Sequence, residues 1–345
     1  PRMAGDGQTV QKDAMGGGGE QTVVRSATGR TVAEALARLQ ERFPRTFFWG
    51  HAGAYLFGEE MAGAGIRETV DFILRFPHAR ERAHVFVSRG EAKKMLERLP
   101  PLERNRTDAL REAAESRFRL RVSVKDLAEM LTGDAGNAVL PVLEVSPAVE
   151  GKEKQNPTAY IAGAAVFCGD NMIGILNDRI TGGLLWLRGE MNSAVITVAV
   201  EPGEDDGLVS LRLLRSRTKL LPHVGGDRWS MTVKVSAEAE IVENAAGLNM
   251  RDPGVIRSLE EAMEREIVER VNAALNVVQK EMQTDVLDFA GTFHRHYPRE
   301  WQRMKDRWAD RFPRLPVRVE AEGTVLRPGT TGPVVFRPKE ELLNR

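Results

Sequence analysis

Alternating hydrophobic and polar residues predict two strands in the last third of the chain. The first strand lies within 231–242 and places five apolar residues on one face: Val233, Val235, Ala237, Ala239 and Ile241. Residues 316–325 repeat the alternation with Val317, Val319 and Ala321. A period of two residues sends successive side chains to opposite faces of a sheet. Because the second face of each strand is polar, we expect both strands to belong to one antiparallel sheet with a solvated face.

A longer hydrophobic stripe between these strands predicts an amphipathic helix over residues 253–283. Asp252 is suited to cap this helix, and Pro253 takes its first position, where proline is tolerated. The stripe repeats at steps of three or four residues: Ile256, Leu259, Met263, Ile267, Val271, Leu275, Val278 and Met282. We expect Leu259 and Ile267 to be buried against the two strands. A second stripe predicts one more helix, with Trp301, Met304, Trp308 and Phe312 on one side.

The first part of the chain shows strand and helix patterns in alternation. Helix signals begin at Thr31, Glu59 and Ile66, after Gly90, and at Ser123. Thr31 and Ser123 each start a capping pattern, with an acidic residue three positions later. Strands are predicted at 46–49, at 54–57 and in the run AHVFV that begins at Ala83. In the helix after Ile66, the side chains expected to face inward are Val70, Ile73 and Leu74. The alternation favours helices packed against a small sheet.

The stretch GDNMIGILNDRITGGLLWLRGE, which begins at Gly169, combines both patterns. We predict a strand at 164–167, a turn at 169–170, a strand at 172–176 and a short helix at 179–187. Asp170 and Asn171 suit a tight turn. We expect Trp186 to be buried and Arg188 to be exposed.

The composition is typical of a globular protein and does not favour a nucleic-acid partner. Hydrophobic residues make up 42% and charged residues 28% of the chain. The formal net charge is zero, so no basic surplus is available to neutralise phosphates. No run approaches the roughly 18 apolar residues of a membrane span. The single cysteine, Cys168, excludes an internal disulfide, and we expect it to be a small buried residue.

No pattern of reactive residues indicates catalysis or a bound metal or cofactor. The glycine run at 16–19 lacks the Lys-Ser/Thr that follows a phosphate-binding loop. The acidic turn at 201–207 lacks the spacing of a calcium loop. His294 and His296 are two residues apart, which suits metal binding on a strand and not on the helix predicted there. We therefore expect no enzyme activity and no cofactor.

Three groups of ordered motifs carry a family resemblance. The first group is Gly50–His51, Phe57–Gly58–Glu59, Asp71–Phe72 with Arg75, and Val87 with Gly90. The second group is Ala165, Phe167, Gly169, Asp170, Gly174, Leu176, Gly183, Leu184, Leu185, Trp186, Leu187 and Gly189. The third group is Asp288, Phe289, Tyr297, Pro298, Trp301, Trp308, Phe312 and Pro313. From about Gly16 to Gly329 the chain thus resembles the GerC-type spore germination lipoproteins, the C subunits of bacterial germinant receptors. Gly182 departs from the pattern, in which arginine is usual.

The resemblance implies a place for the protein in the dormant spore. Family members begin with a lipoprotein signal and a diacylated cysteine, which would precede Pro1, so the chain would be the ectodomain. The resemblance implies attachment to the inner membrane by lipid, on its extracytoplasmic face. It also implies a complex with the two integral membrane subunits of the receptor and no enzyme activity. We expect the isolated ectodomain to be a monomer.

These observations predict an α+β fold in three domains, 1–155, 156–202 and 203–345. Each domain would contain a small mixed or antiparallel sheet covered by helices. The C-terminal domain would combine an antiparallel sheet with the long helix at 253–283.

We hypothesise that the rim of the stretch after Gly169 contacts a neighbouring receptor subunit through Asp170, Asn171, Arg179 and Arg188. Two alternative functions stay open. A deep pocket with converging polar groups would favour an extracytoplasmic lipoprotein that binds solutes or cell-wall fragments. A carboxylate pair or a Ser–Lys dyad in a groove would favour a hydrolase of the spore cortex.

Overall fold

The computed structural model describes residues 24–43, 48–76, 79–98, 120–146, 159–200 and 208–326. Contacts between residues divide the chain into two compact units. The first unit contains the residues up to Leu176 apart from 117–120, and the second contains those four residues and the chain from Asn177 onward.

The first unit is built on a five-stranded mixed sheet in the order β1-β2-β3-β4-β5. Its strands are β1 (Ala54–Gly58), β2 (His84–Ser88), β3 (Ala138–Val145), β4 (Ala159–Cys168) and β5 (Asn171–Leu176). The first three strands are mutually parallel, because helices return the chain between them, whereas β4 and β5 are antiparallel to their neighbours. A tight turn joins β4 to β5. Gly169 in this turn has a positive φ of 60°, a conformation that glycine adopts without steric cost.

Helices of the first unit follow the predicted signals closely. They are α1 (Val32–Glu41), α2 (Glu59–Ala64), α3 (Arg67–Arg75), α4 (Ala92–Arg98) and α5 (Val124–Thr132). The capping box at Ser123 is confirmed, since its hydroxyl and the Asp126 carboxylate each accept from the other residue's backbone N–H. Val70 and Ile73 of α3 are buried, but Leu74 is 45% exposed. The inward orientation predicted for Leu74 is therefore wrong, because the buried stripe of α3 passes along one side of it.

Part of the strand predicted at 46–49 lies outside the described residues. Where the chain is described again, Trp49–His51 forms a turn of 3₁₀ helix, so a strand through residue 49 is wrong. The strand predicted at 54–57 is confirmed as β1.

The second unit contains a four-stranded sheet in the order β6-β7-β8-β9. Its strands are β6 (Val195–Ala199), β7 (Leu208–Gly225), β8 (Arg228–Asn244) and β9 (Val317–Leu326). The first three are antiparallel to one another, and β9 is parallel to β8. The prediction of a wholly antiparallel sheet is therefore wrong. The helices between β8 and β9 return the chain to the end of the sheet at which β8 begins. A strand that starts from that end runs parallel to β8.

The helices of the second unit enclose its core. They are α6 (Asp178–Arg188), α7 (Pro253–Leu275), α8 (Phe289–His296), α9 (Pro298–Met304) and α10 (Trp308–Arg311). The predicted long helix begins as expected with Asp252 as cap, but its α-helical part ends at Leu275, and Asn276–Glu281 continue as π-helix. Leu259 and Ile267 are fully buried, as predicted. Aromatic side chains of α8 to α10, of the 3₁₀ turn that follows α10 and of β8 form one cluster: Trp229, Phe289, Phe293, Trp301, Trp308 and Phe312.

The segment 156–202, predicted as a small middle domain, is divided between the two units. Two of its described strands, β4 and β5, complete the first sheet through the pairing of β4 with β3. Its helix α6 and its remaining strand β6 belong to the second unit. This division follows from backbone pairing, because β4 can satisfy its hydrogen bonds only in the sheet that contains β3.

Candidate interaction surface

The β4–β5 turn contains Asp170 and Asn171, and both residues make contacts within the first unit. The carbonyl oxygen of Asp170 accepts a hydrogen bond from the Ile66 N–H at 3.0 Å. The carboxylate of Asp170 lies 3.4 Å from the guanidinium of Arg67. The side-chain amide of Asn171 donates to the Gly63 carbonyl at 3.1 Å. The turn therefore holds the connection between α2 and α3, a structural role that limits what these side chains can offer to another subunit.

Arg179 lies on the first turn of α6 and projects into solvent. Its guanidinium contacts the Glu269 carboxylate at 2.7 Å, and its side chain is 67% exposed. An ion pair this exposed contributes little to stability, about 0–1 kcal/mol. Arg179 therefore keeps the freedom to exchange Glu269 for a group on another molecule.

Arg188 is the last residue of α6 and is mostly buried, so the predicted exposure is wrong. Its side chain is 16% exposed and its Nε contacts the Glu190 carboxylate at 2.8 Å. Its Nη1 donates to the Val286 carbonyl at 2.7 Å. Arg188 comes directly after the apolar run of α6 and packs against the core, where the Val286 carbonyl accepts a hydrogen bond from its guanidinium.

The interior of α6 depends on a close approach to α7. Gly183 faces α7, and a Cβ atom there would overlap the Arg270 carbonyl oxygen and lie 2.8 Å from the Ala274 Cβ. Trp186 is buried, as predicted, and its carbonyl accepts a hydrogen bond from the Thr218 hydroxyl at 2.6 Å. The apolar run of α6 therefore serves the core of the second unit.

A cleft of about 530 Å³ opens beside α6 in the second unit. It is lined by α6, by the segment before β6 and by α7: Asp178, Arg179, Thr181, Gly182, Leu185, Met191, Ser193, Ala194, Glu266 and Arg270. Arg270 and Glu266 form an ion pair at 2.6 Å within the cleft wall. Gly182 leaves open space, since a Cβ atom there would meet no atom within 4 Å. The cleft has the size of a small-molecule site, but three of its charged side chains are already in ion pairs, Glu266 with Arg270 and Arg179 with Glu269.

Asp285 is a buried carboxylate that organises the aromatic cluster. It accepts hydrogen bonds from the backbone N–H groups of Leu287, Phe289 and Ala290 and from the Trp308 indole at 3.0 Å. Burial raises the pKa of the Asp285 carboxyl above its ordinary value, and the donated hydrogen bonds oppose that rise. No small molecule could reach this group from solvent, so its role is structural.

The outer edge of β9 is closed by carboxylates from α7. Glu264 accepts a hydrogen bond from the Gly323 N–H at 2.8 Å, and Glu260 accepts from the Val325 N–H at 3.0 Å. Unpaired donors on an edge strand invite pairing with another chain. These two carboxylates therefore protect the β9 edge from strand addition.

Other candidate chemistry is sparse in the described ranges. Cys168 is exposed at the end of β4, beside the turn, so the expected burial is wrong. No group of three or more His, Cys, Asp or Glu side chains is placed to hold a metal ion among these residues. In the same residues, no helix has both the length and the apolar character needed to cross a membrane.

The four predicted contact residues are divided between the two units. Asp170 and Asn171 belong to the first unit, and Arg179 and Arg188 belong to the second. The cleft beside α6 was not predicted, because it depends on the placement of α7 and on the missing side chain of Gly182. The buried carboxylate of Asp285 was not predicted either, because the sequence alone does not distinguish it from the exposed Asp288 three residues later.

Comparison with known proteins places both parts of the chain in one family. A model described as the spore germination protein N-terminal domain matches residues 6–145, and one described as spore germination B3/GerAC like, C-terminal, matches residues 162–329. The spore germination protein KC of Bacillus subtilis (strain 168) is 26% identical over 340 residues, covering 91% of this chain and 81% of that protein. The spore germination protein GerQC of Bacillus cereus is 22% identical over 328 residues, covering 94% and 88%.

A solved structure has the same fold. The crystal structure of the GerBC protein superposes with a TM-score of 0.62 at 15% identity, over 85% of this chain and 84% of that chain. This likeness supports the α+β architecture with two helix-covered mixed sheets. With both family models matched in order along the chain, the protein belongs to the GerC-type family, the C subunits of spore germinant receptors.

Proposed function

We propose that this protein is a lipid-anchored, non-enzymatic subunit of a spore germinant receptor and that it acts through contacts with the two integral membrane subunits. The observation that carries the proposal is the ordered match of both family models over residues 6–145 and 162–329. Relatives that share most of the chain's length are spore germination proteins by name. The proposed location is the extracytoplasmic face of the spore inner membrane.

The distribution of charged groups in the second unit agrees with a role in protein contacts. The carboxylate of Asp285 is fully buried and is occupied by four N–H donors. Three of the charged side chains that line the cleft form ion pairs, Glu266 with Arg270 and Arg179 with Glu269. A catalytic acid or base needs a position from which it reaches substrate, and neither arrangement offers one.

Arg179 is the candidate contact residue that we retain in the second unit. Its side chain is largely exposed, and its partner Glu269 is exposed to a similar degree. We expect Arg179→Ala to leave folding unchanged and to weaken receptor assembly. Arg265→Ala is the matched control, since Arg265 is also exposed on a helix of this unit. Equal assembly with both variants would remove Arg179 from the interface.

Membrane attachment and germination can be tested separately in spores. Replacing the lipid-bearing cysteine of the precursor should move the protein out of the membrane fraction, because two acyl chains provide a stable anchor. Deleting the gene should slow or abolish the response to at least one nutrient germinant. Retention of the cysteine variant in the membrane fraction would contradict the lipid anchor, and an unchanged germination response in the deletion strain would contradict the receptor role.

The cleft beside α6 supports a second candidate function, the binding of a solute or cell-wall fragment. Its volume of about 530 Å³ falls within the range of small-molecule pockets. Gly182→Leu would place an apolar side chain at the cleft, and its Cβ would meet no atom within 4 Å. Loss of the germinant response in a correctly assembled Gly182→Leu receptor would favour the binding function. A normal response would eliminate it.

A further inference from the structure

The sheet of the second unit has one covered face and one open face. On the covered face, a Cβ atom at Gly323 would lie 2.6 Å from Met263 of α7, so α7 packs directly against the strands. In the cross-strand register, Gly323 is paired with Ala237, and the buried residues Val233 and Val235 share that face. The alternate residues therefore face away from α7: on β7 they are Arg215, Arg217, Lys219, Leu221 and His223.

Charge is distributed unevenly over this open face. On β8 and β9 the cation Lys234 contacts Glu320 at 3.9 Å and Glu322 at 3.1 Å. Arg318 contacts Glu320 at 3.0 Å. Carboxylates on this side therefore neutralise the nearby cations.

The row on β7, which we call the basic row, consists of Arg215, Arg217 and Lys219. Arg215 forms a long ion pair with Glu238 at 3.9 Å, and its side chain is 78% exposed. Arg217 is opposite Ser236, and Lys219 is opposite Lys234, a like charge. In the described part of the chain neither Arg217 nor Lys219 forms an ion pair. Like charges directly opposite each other destabilise a sheet, so Lys219 has a cost that no ion pair of its own offsets among the described residues.

We propose that the basic row binds the anionic headgroups of a phospholipid surface. Alternate residues on a strand are about 7 Å apart, so the three cations project to one side over roughly 14 Å. Among the described residues of this unit, the large hydrophobic side chains with high exposure are aliphatic, and no aromatic anchor of the kind that concentrates binding energy in protein interfaces is among them. Binding of phospholipid phosphate groups, in contrast, requires only positive charge at the protein surface and no aromatic anchor. The proposal rests on the lipid anchor proposed above, which would keep the chain close to the bilayer.

The expected strength suits a second attachment signal. A cation close to an anionic bilayer contributes on the order of 1 kcal/mol, so neutralising two of them weakens binding by about 30-fold. A basic patch of this size binds weakly alone and adds to the attachment that two acyl chains already provide. The interaction should weaken as salt rises, since the screening length is about 8 Å at physiological ionic strength.

The test uses the 345-residue chain without lipid and vesicles of phosphatidylcholine with or without phosphatidylglycerol. We expect sedimentation with the phosphatidylglycerol vesicles, little with pure phosphatidylcholine, and about 30-fold weaker partitioning of the double variant Arg217→Gln/Lys219→Gln. The matched control is Arg257→Gln/Arg265→Gln, which removes the same charge from exposed positions on α7. Thermal unfolding of each variant verifies that the fold is retained.

Three outcomes would overturn the proposal. The first is failure of the unsubstituted chain to bind phosphatidylglycerol vesicles at low salt. The second is an equal loss in the two double variants, which would reflect net charge alone. The third is binding to poly-glutamate, and not to vesicles, that depends on Arg217 and Lys219, since the basic row would then recognise an acidic peptide. None of these results bears on the receptor role, because recovery of the receptor from spores tests that role independently.

Discussion

Two adjacent glycines in α6 should respond to the same substitution with opposite signs. Gly183 lies against α7, and a Cβ atom there would overlap the Arg270 carbonyl oxygen and stand 2.8 Å from the Ala274 Cβ. Ordinary carbon contacts are about 3.5–4.0 Å, so α6 and α7 would have to separate. A Cβ atom at Gly182 would meet no atom within 4 Å, so it is accommodated there without movement. Substitution of Gly182 is therefore the control for the same substitution of Gly183 in the same helix.

The expected magnitudes follow from two opposing terms. Alanine is favoured over glycine inside a helix by about 0.8–1.0 kcal/mol, and this gain applies at both positions. Overpacking a rigid contact costs about 1–3 kcal/mol or more, and this cost applies at Gly183 alone. We therefore expect Gly182→Ala to raise the free energy of unfolding by about 0.5–1 kcal/mol and Gly183→Ala to lower it by about 1–2 kcal/mol.

Urea unfolding monitored by tryptophan fluorescence is the appropriate assay. Four of the five tryptophans lie after residue 177, so the signal reports mainly on the second unit. Unchanged slopes with shifted midpoints would show that stability, and not the extent of unfolding, has changed. If Gly183→Ala is as stable as Gly182→Ala, the close approach of α6 to α7 is not the reason for glycine at that position.

Three further predictions concern internal contacts of the second unit. Glu264→Ala should lower the free energy of unfolding by about 1–3 kcal/mol, because it leaves the Gly323 N–H unpaired at the β9 edge. Glu264→Gln is the control, since it retains an acceptor oxygen, and chemical denaturation compares the two variants. Ile267→Asp should cost several kcal/mol, because it buries an unpaired charge against the sheet, and unchanged thermal unfolding would contradict the packing described here. Asp285→Asn should remove a pH-dependent part of the stability, because asparagine does not titrate. It should also leave backbone N–H donors without an acceptor, because the amide has one acceptor oxygen and the carboxylate has two; unfolding measured across pH tests both effects.

The sign of the Asp285 effect follows from its raised pKa. The folded state binds this proton more tightly than the unfolded chain, so the stability contributed by protonation is complete below the ordinary value of 3.8. That contribution is lost as pH rises through the higher pKa of the folded state. Asp288→Asn is the control, since Asp288 is exposed and pairs with Arg295 at 2.8 Å. A pH profile in which Asp285→Asn and the unsubstituted chain remain parallel would contradict this assignment.

Local sequence signals predicted those parts of the fold that depend on neighbouring residues. The cap at Ser123, the start of α7 at Pro253 and the turn after Cys168 are determined by nearby side chains and appear in the structure as expected. The strand β7 was not predicted, because charged residues interrupt its alternation and an irregularity between Leu213 and Arg215 shifts its register. An extra residue of this kind reverses which side chains face the core.

Errors at individual residues arose from contacts between distant segments. Arg188 was expected to be exposed, but its partner is the carbonyl of Val286, 98 residues later in the chain. The direction of β9 depends on the path of four helices and could not be deduced from its own alternation. The open space at Gly182 and the crowding at Gly183 look alike in the sequence and differ only because α7 lies on one side of α6.

Recovery of the intact receptor from spores tests the central proposal most directly. An epitope-tagged form of the protein, expressed from its own locus, would be purified from spore membranes in mild detergent, and the recovered proteins would be quantified by mass spectrometry. The proposal predicts that two integral membrane proteins co-purify in amounts comparable to the tagged chain and that deleting either one removes the other from the complex or weakens its recovery. Recovery of the tagged chain alone, from membranes in which both integral subunits are present, would contradict it.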